Sequence, residues 1–173
     1  DTLGGGGPAQ WQHSRLSVLG CALLSTVLGF PSDSSQMYSM SLAGLPDDEA
    51  AAACVDPAGS RTVEAFLQSA HIAAPTKRKF VQKLMGHYGK MALSNVGSHC
   101  VEKLFNVADI KDREAIAAEL SGVERQLSQE RHGAILMRKC SVTQFVERPD
   151  EWRSQQVTKS KVKGDFEDLF GGS

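Results

Sequence analysis

Closely spaced cysteines are missing from this chain. Its four cysteines, Cys21, Cys54, Cys100 and Cys140, are 33, 46 and 40 residues apart. No pair therefore has the spacing of a thiolate metal site or a redox dithiol, and the thiols are expected to be free in a reducing compartment. Long apolar runs are missing as well. The richest segment, Leu16 to Phe30, is interrupted by Gly20 and polar residues, short of the roughly 18 apolar residues that a membrane span needs. His71, His87 and His132 share no metal-ligand spacing with a carboxylate or a thiol, so no metal or other cofactor is expected. There is no nucleophile elbow, no phosphate loop and no carboxylate pair placed for acid–base work, which makes an enzyme the weakest function class. Asp1 and a glycine run stand where a positively charged signal start would be, and the chain reads as a soluble piece of a longer protein.

The apolar content is sufficient for a core, since 41% of the 173 residues are hydrophobic. Charge is unevenly shared. Residues 1–70 hold two basic against seven acidic side chains, and residues 71–173 hold seventeen against thirteen. A basic partner surface, if present, belongs to the second part.

Helical periodicity runs through most of the chain. Between Trp11 and Leu28 the residues Leu16, Leu19, Leu23, Leu24, Val27 and Leu28 recur every three or four positions, the period of a helix with one buried face. The Gly4 to Gly7 run with Pro8 predicts a loop, and so do the Ser, Asp and Pro residues of 31–47. A short helix is expected over Asp48 to Val55, with its acidic residues at the favourable end of the dipole. Further apolar faces follow at Thr62, Val63, Phe66 and Leu67, at Phe80, Val81 and Leu84, at Met91 to Leu93, and at Val101, Leu104 and Phe105. Asp109 to Gly122 and Arg131 to Cys140 complete the helices. From residue 151 the chain is expected to be a flexible tail, basic and solvated over 154–164 and acidic-aromatic over Asp165 to Phe170.

The decisive feature is a repeat. The glycines that open the core helices, Gly20, Gly59, Gly97 and Gly133, are 39, 38 and 36 residues apart, a period that marks a solenoid. Residues 1–47 form a partial or degenerate copy, and 48–150 hold the better ones. Two copies align closely, Gly59-Ser-Arg-Thr-Val-Glu64 and Gly97-Ser-His-Cys-Val-Glu102. Serine and glutamate four residues apart share one helix face.

These strings resemble the Pumilio repeat family. The resemblance implies an all-α, armadillo-like solenoid of three-helix repeats in which each second helix reads one RNA base. The first and fifth residues of a short motif contact the base edge, and the second stacks. Carried onto this sequence, Ser60 and Glu64 are edge readers with Arg61 as stacker, and Ser98 and Glu102 are edge readers with His99 as stacker. In the family, serine with glutamate at this spacing reads guanine, whose Watson–Crick N–H donors suit a carboxylate. The copies at Gly133 (Ala134, Ile135, Arg138) and Gly20 (Cys21, Ala22, Ser25) depart from the pattern. Lys90, Lys103, Arg131, Arg138 and Lys139 are expected phosphate contacts, with His132 near the last three.

From about Asp56 to Gln155 the similarity is more specific. Lys-Arg-Lys-Phe80, Gly86-His-Tyr-Gly, Arg113-Glu-Ala-Ile-Ala-Ala-Glu-Leu, Arg131-His-Gly and Arg148-Pro-Asp-Glu-Trp-Arg-Ser resemble the C-terminal repeats of the nucleolar Pumilio-like proteins, of the nucleolar protein nine and plant Pumilio twenty-three type. This implies a nucleolar protein that binds single-stranded precursor ribosomal RNA of the small subunit, and assembly factors, without a membrane partner. The residues also admit plainer roles. Ser60 and Ser98 suit N-caps, Glu64 and Glu102 suit a solvated face, and Lys77 to Lys79 suit either a localisation run or a helix start. The rival function is a helical-repeat protein scaffold within a pre-ribosomal particle. What separates the two is the polar triad at equal positions in two repeats, which a peptide groove does not require.

Overall fold

A computed structural model describes residues 16–170; the expected Gly4 to Pro8 loop and the first turn of the expected helix at Trp11 lie outside them. The described residues form twelve helices and no strand: α1 (Val18–Val27), α2 (Ser32–Gly44), α3 (Asp47–Val55), α4 (Pro57–Gln68), α5 (Ala74–Lys83), α6 (Tyr88–Ala92), α7 (Asn95–Val107), α8 (Ile110–Gly122), α9 (Glu124–Leu127), α10 (Arg131–Cys140), α11 (Val142–Glu147) and α12 (Pro149–Phe170). They fall into three-helix units. Helices α3 to α5, α6 to α8 and α9 to α11 make three units, and α1 with α2 supplies the later helices of a preceding one. The second helices α1, α4, α7 and α10 pack one on the next in a row. That row carries the four repeat glycines.

The reason for those glycines is steric. A Cβ built on Gly59 would lie 2.5 Å from the carbonyl oxygen of Ala53, and one on Gly97 or Gly133 would come closer still to the carbonyls of Met91 and Leu127. In these three repeats the obstructing carbonyl is the sixth residue before the glycine, so the same backbone crossing recurs; at Gly20 a Cβ would meet only Ser17, at 3.4 Å. The caps recur too. Ser17, Asp56 and Ser94 accept from the backbone N–H groups of Gly20, Gly59 and Gly97 at 3.2, 2.8 and 2.9 Å, which satisfies a donor that the first helical turn leaves orphaned. Ser60 and Ser98 are therefore not N-caps; they sit one turn inside their helices. Replacing Gly97 by Ala forces a methyl against a backbone carbonyl that cannot turn aside. A loss of about 1–3 kcal/mol is expected from such overpacking, read as a lower denaturant midpoint, whereas Gly122→Ala, a helical position where nothing lies within 4 Å, should not lower the midpoint and should raise it slightly.

Two expectations need correction. Residues 31–47 are not a loop, because α2 occupies most of them. Its serines tolerate a helix once tertiary packing pays the conformational cost: Ser35, Ser39, Leu42 and Ala43 are buried at helical spacing, and the helix packs on α5. Residues 151–170 are not irregular either, since α12 continues helical to Phe170. Trp152 anchors it, fully buried, in edge contact with Phe105 and Phe145 at 6.3 and 5.1 Å between ring centroids. The indole N–H donates to the carbonyl of Cys140 at 2.9 Å. Arg113 ties the same helix to its neighbours. Its guanidinium donates to the carbonyls of Phe105 and Asn106, to Gln156 Oε1 and to Ser160 Oγ, at 2.9 to 3.2 Å, and lies over the Phe105 ring.

One continuous core runs along the row, from Val63, Phe66 and Phe80 through Tyr88, Val101 and Leu104 to Leu120, Leu136 and Trp152. The turn into α6 uses Gly86 at φ 89°, which a side chain would strain. Glu119 from α8 accepts there from the Gly86 and Tyr88 N–H groups at 2.6 and 2.9 Å. All four cysteines are free thiols among the described residues, and Cys54, Cys100 and Cys140 are buried. Burial pushes the Cys140 thiol up to about 12 from an ordinary 9.0. The unfolded chain loses this proton first, so stability present below pH 9 is lost as pH rises toward 12. The expected decline, at most about 1.4 kcal/mol per pH unit for this thiol, should appear in melting temperatures between pH 8 and 11 and be shallower in Cys140→Ala.

Candidate nucleic-acid interface

The exposed edges of α4, α7 and α10 enclose two successive grooves of similar size, about 230 and 260 Å³. Ser60, Arg61, Glu64, Asn95, His99 and Lys103 are among the residues lining the first. The second is lined by Asn95, Ser98, His99, Glu102, Arg131, His132, Ile135 and Leu136. Each groove thus holds one serine and one glutamate from the helix on one side and a flat or apolar side chain from each helix. His99 stands between the two and faces both. The structure therefore brings together the residues that the repeat alignment singled out as edge readers and stackers.

The serines are committed locally. Ser98 is buried and its hydroxyl donates to the Asn95 carbonyl at 2.7 Å; Ser60 does the same to Pro57 at 3.2 Å. Each hydroxyl oxygen retains lone pairs, so the serines offer the grooves an acceptor first. Arg61 and His99 are exposed, with their faces available for stacking. In the Gly20 copy Ser25 is turned to internal use, since its hydroxyl meets Thr62 Oγ1 at 3.3 Å and the Cys21 carbonyl at 2.8 Å.

A feature that the sequence reading missed connects the glutamates. Lys103 Nζ lies 2.8 Å from Glu64 Oε1, and Lys139 Nζ lies 2.6 Å from Glu102 Oε1. In both pairs the glutamate is five residues past its glycine and the lysine six residues past the next repeat's glycine. The signal was present, because the two lysines share one offset, but it links residues 39 and 37 apart and becomes visible only once adjacent helices are known to stack. The Glu64 carboxylate, hydrogen-bonded to Lys103 and close to it, holds that ammonium's pKa above its ordinary value. Pairs this exposed contribute only about 0.2–1 kcal/mol to stability, so they arrange charge more than they hold the fold.

The remaining basic candidates divide. Arg131 lines the second groove, and Arg138 is exposed at the position where the preceding repeats carry their glutamates. His132 is engaged in the repeat junction, its Nε2 3.2 Å from the Leu93 carbonyl. Lys90 is not gathered with the others. It borders a separate hollow beside Ala51, Val55, His87 and Ser94. In the run 77–79, Lys77 donates to the Ser69 carbonyl at 2.7 Å and Arg78 bridges to Asp109 at 2.6 Å. No group of three or more His, Cys, Asp or Glu side chains suited to a metal occurs among the described residues, and no described helix is long and apolar enough to cross a membrane.

Similarity to known proteins follows the same architecture. Pumilio homolog 23 of Arabidopsis thaliana is 36% identical over 160 residues, covering 92% of this chain and 21% of its own length. Nucleolar protein 9 of Homo sapiens is 30% identical over 146 residues, covering 84% of this chain and 23% of its own. The solved structure of APUM23-GGAAUUGACGG matches with a TM-score of 0.81 at 37% identity, over 84% of this chain and 27% of that one. A form with its insert region deleted, bound to the same sequence, matches at 0.82 over 86% of this chain and 29% of that one. The chain spans about a fifth of the length of the curated relatives it matches. The family described as the NOP9-like PUF repeat domain matches residues 6–134, and the chain, an all-α Pumilio-type solenoid, belongs to that family.

Proposed function

We propose that this chain is an RNA-reading segment of a nucleolar protein that binds single-stranded precursor ribosomal RNA and serves small-subunit ribosomal RNA processing, acting as a binding protein rather than an enzyme. The observation that carries the reading is the serine, stacker and glutamate set at equal positions of α4 and α7, each facing its own inter-helix groove. Arg61 and His99 flank the first groove, and His99 and Ile135 the second, so a base entering either meets a stacking surface on both sides and a carboxylate at its edge. Base stacking contributes about 1–3 kcal/mol per base. The two sets are consecutive, so two neighbouring guanines are expected in the preferred RNA. The paired guanines in the sequence carried by the APUM23 complex support this. Nucleolar location is supported by the name of the relative, nucleolar protein 9, and pre-ribosomal assembly factors are the protein partners that the reading implies.

Phosphate contact falls to Arg131, which lines the second groove, and to the exposed Arg138 further along α10, both in the more basic part of the chain. Replacing both with Ala in the full-length protein should weaken all RNAs alike and flatten the dependence of log affinity on log salt by about 0.7 per lost contact. Crosslinking of the intact protein in cells, with the bound RNA sequenced, tests the whole reading. Precursor small-subunit RNA with adjacent guanines at the crosslink is the expected result. Retention in pre-ribosomal particles without any RNA crosslink would establish the protein scaffold in its place.

A further inference from the structure

We propose that Lys103 and Lys139 are specificity-determining residues: each sets its ammonium beside the glutamate of the preceding repeat, so that the pair matches the full edge of guanine. The inference rests on the two grooves being base sites. The Watson–Crick edge of guanine presents two donors, N1–H and N2–H, next to one acceptor, O6. A carboxylate alone satisfies the donors and leaves O6 facing an acceptor or nothing. An ammonium has three donors. One is used by Glu64 or Glu102, at 2.8 and 2.6 Å, and two remain for a neighbouring oxygen. Lys103 lines the first groove together with Glu64, Ser60 and His99, close enough to the carboxylate for one base edge to meet both charges.

The same pair works against adenine. Its N1 lone pair would face the carboxylate and its N6 amino group the ammonium, so donor opposes donor and acceptor opposes acceptor. Such mismatches are how a site rejects a competitor as well as how it holds its ligand. The repeat register strengthens the assignment, because an identical glutamate-to-lysine relation occurs at both α4 to α7 and α7 to α10 and is absent where the last repeat carries Arg138 in place of glutamate. An ammonium held this close to a carboxylate is also a poor phosphate ligand, its field being largely cancelled at a distance. Lys103 and Lys139 are thereby separated from Arg131 and Arg138.

The test uses the full-length protein carrying Lys103→Met or Lys139→Met, which keeps an apolar stem and removes the charge, and Lys103→Arg, which keeps charge and donors. Affinities are measured for RNA with guanine at both positions, with adenine at either, and with 6-thioguanine, which keeps both N–H donors and weakens the acceptor. The expected result is a loss of about tenfold or more for guanine RNA, a gain for the adenine forms as the donor facing N6 is removed, and an unaltered salt slope. Wild type should discriminate against 6-thioguanine, the Met variants should not, and Lys103→Arg should keep a preference for guanine. An equal loss on every RNA with a flatter salt slope would mean phosphate contact and overturn the proposal, as would no loss at all. A wild type indifferent to guanine at both positions would instead remove the base-site reading itself, and this inference with it.

Discussion

Trp152→Ala should lower stability by about 3–5 kcal/mol, the range for deleting a buried large aromatic side chain. Trp152 is wholly inaccessible, and its ring is the meeting point of α7, α11 and α12 through Phe105 and Phe145. Removing the indole also leaves the Cys140 carbonyl without its 2.9 Å donor, and an orphaned buried acceptor costs about 1–3 kcal/mol. Trp152→Phe separates the two contributions: it keeps most of the apolar contact and loses only the donor, so its cost should lie near the hydrogen-bond figure. Because a solenoid is held by nearest-neighbour contacts, the damage should be graded. Hydrogen exchange is expected to rise first in α10 to α12 and least in α3 and α4. A Trp152→Ala protein within 1 kcal/mol of wild type would show that α12 contributes little to holding the last repeat.

The anchoring of α12 shows why part of the fold was illegible. A polar stretch with basic and then acidic residues has the composition of a solvated tail, and nothing local says otherwise. What fixes it is Trp152 and Gln156, one turn apart and both buried, the second of them reached by Arg113, 43 residues earlier in sequence. Helix α2 was missed for the same reason, since two of the four residues named as its buried face, Ser35 and Ser39, are serines. The repeat was legible because its cause is largely backbone sterics: Gly59, Gly97 and Gly133 cannot be replaced without meeting the carbonyl six residues back, so the glycine recurs and can be counted. The edge residues inherited their places from that count. Their lysine partners did not, because an ion pair between repeats is a property of stacking, which periodicity alone does not specify.

The site makes one more large effect expected, in recognition. Replacing Glu64 and Glu102 together with Gln exchanges two pure acceptors for groups that both donate and accept. At each position guanine loses a charged partner for its N–H donors, while adenine, with a donor beside an acceptor, gains a matching one. One good base-edge contact discriminates by about 1–3 kcal/mol. The two carboxylates serve different grooves and the sites should act independently, so the double change is expected to weaken binding to the guanine pair by about 2–6 kcal/mol, close to the sum of the single changes. The variant should then lose its preference for guanine at both positions, and the shift toward adenine should be complete only when Lys103→Met and Lys139→Met also remove the ammonium groups that oppose adenine N6. Pumilio proteins bind RNA antiparallel to their repeat order, so Glu102→Gln alone should shift the 5′ member of the pair and Glu64→Gln alone the 3′ member. Selection of RNA from a random pool by wild type, the two single variants and the double variant reads all of this at once. Because the Lys103 and Lys139 pairs are broken by the same substitutions, melting temperature serves as the control, and the small worth of exposed ion pairs predicts only a minor change. Four identical selected sequences would show that neither glutamate reads a base and that the recurring serine and glutamate are helix-surface chemistry.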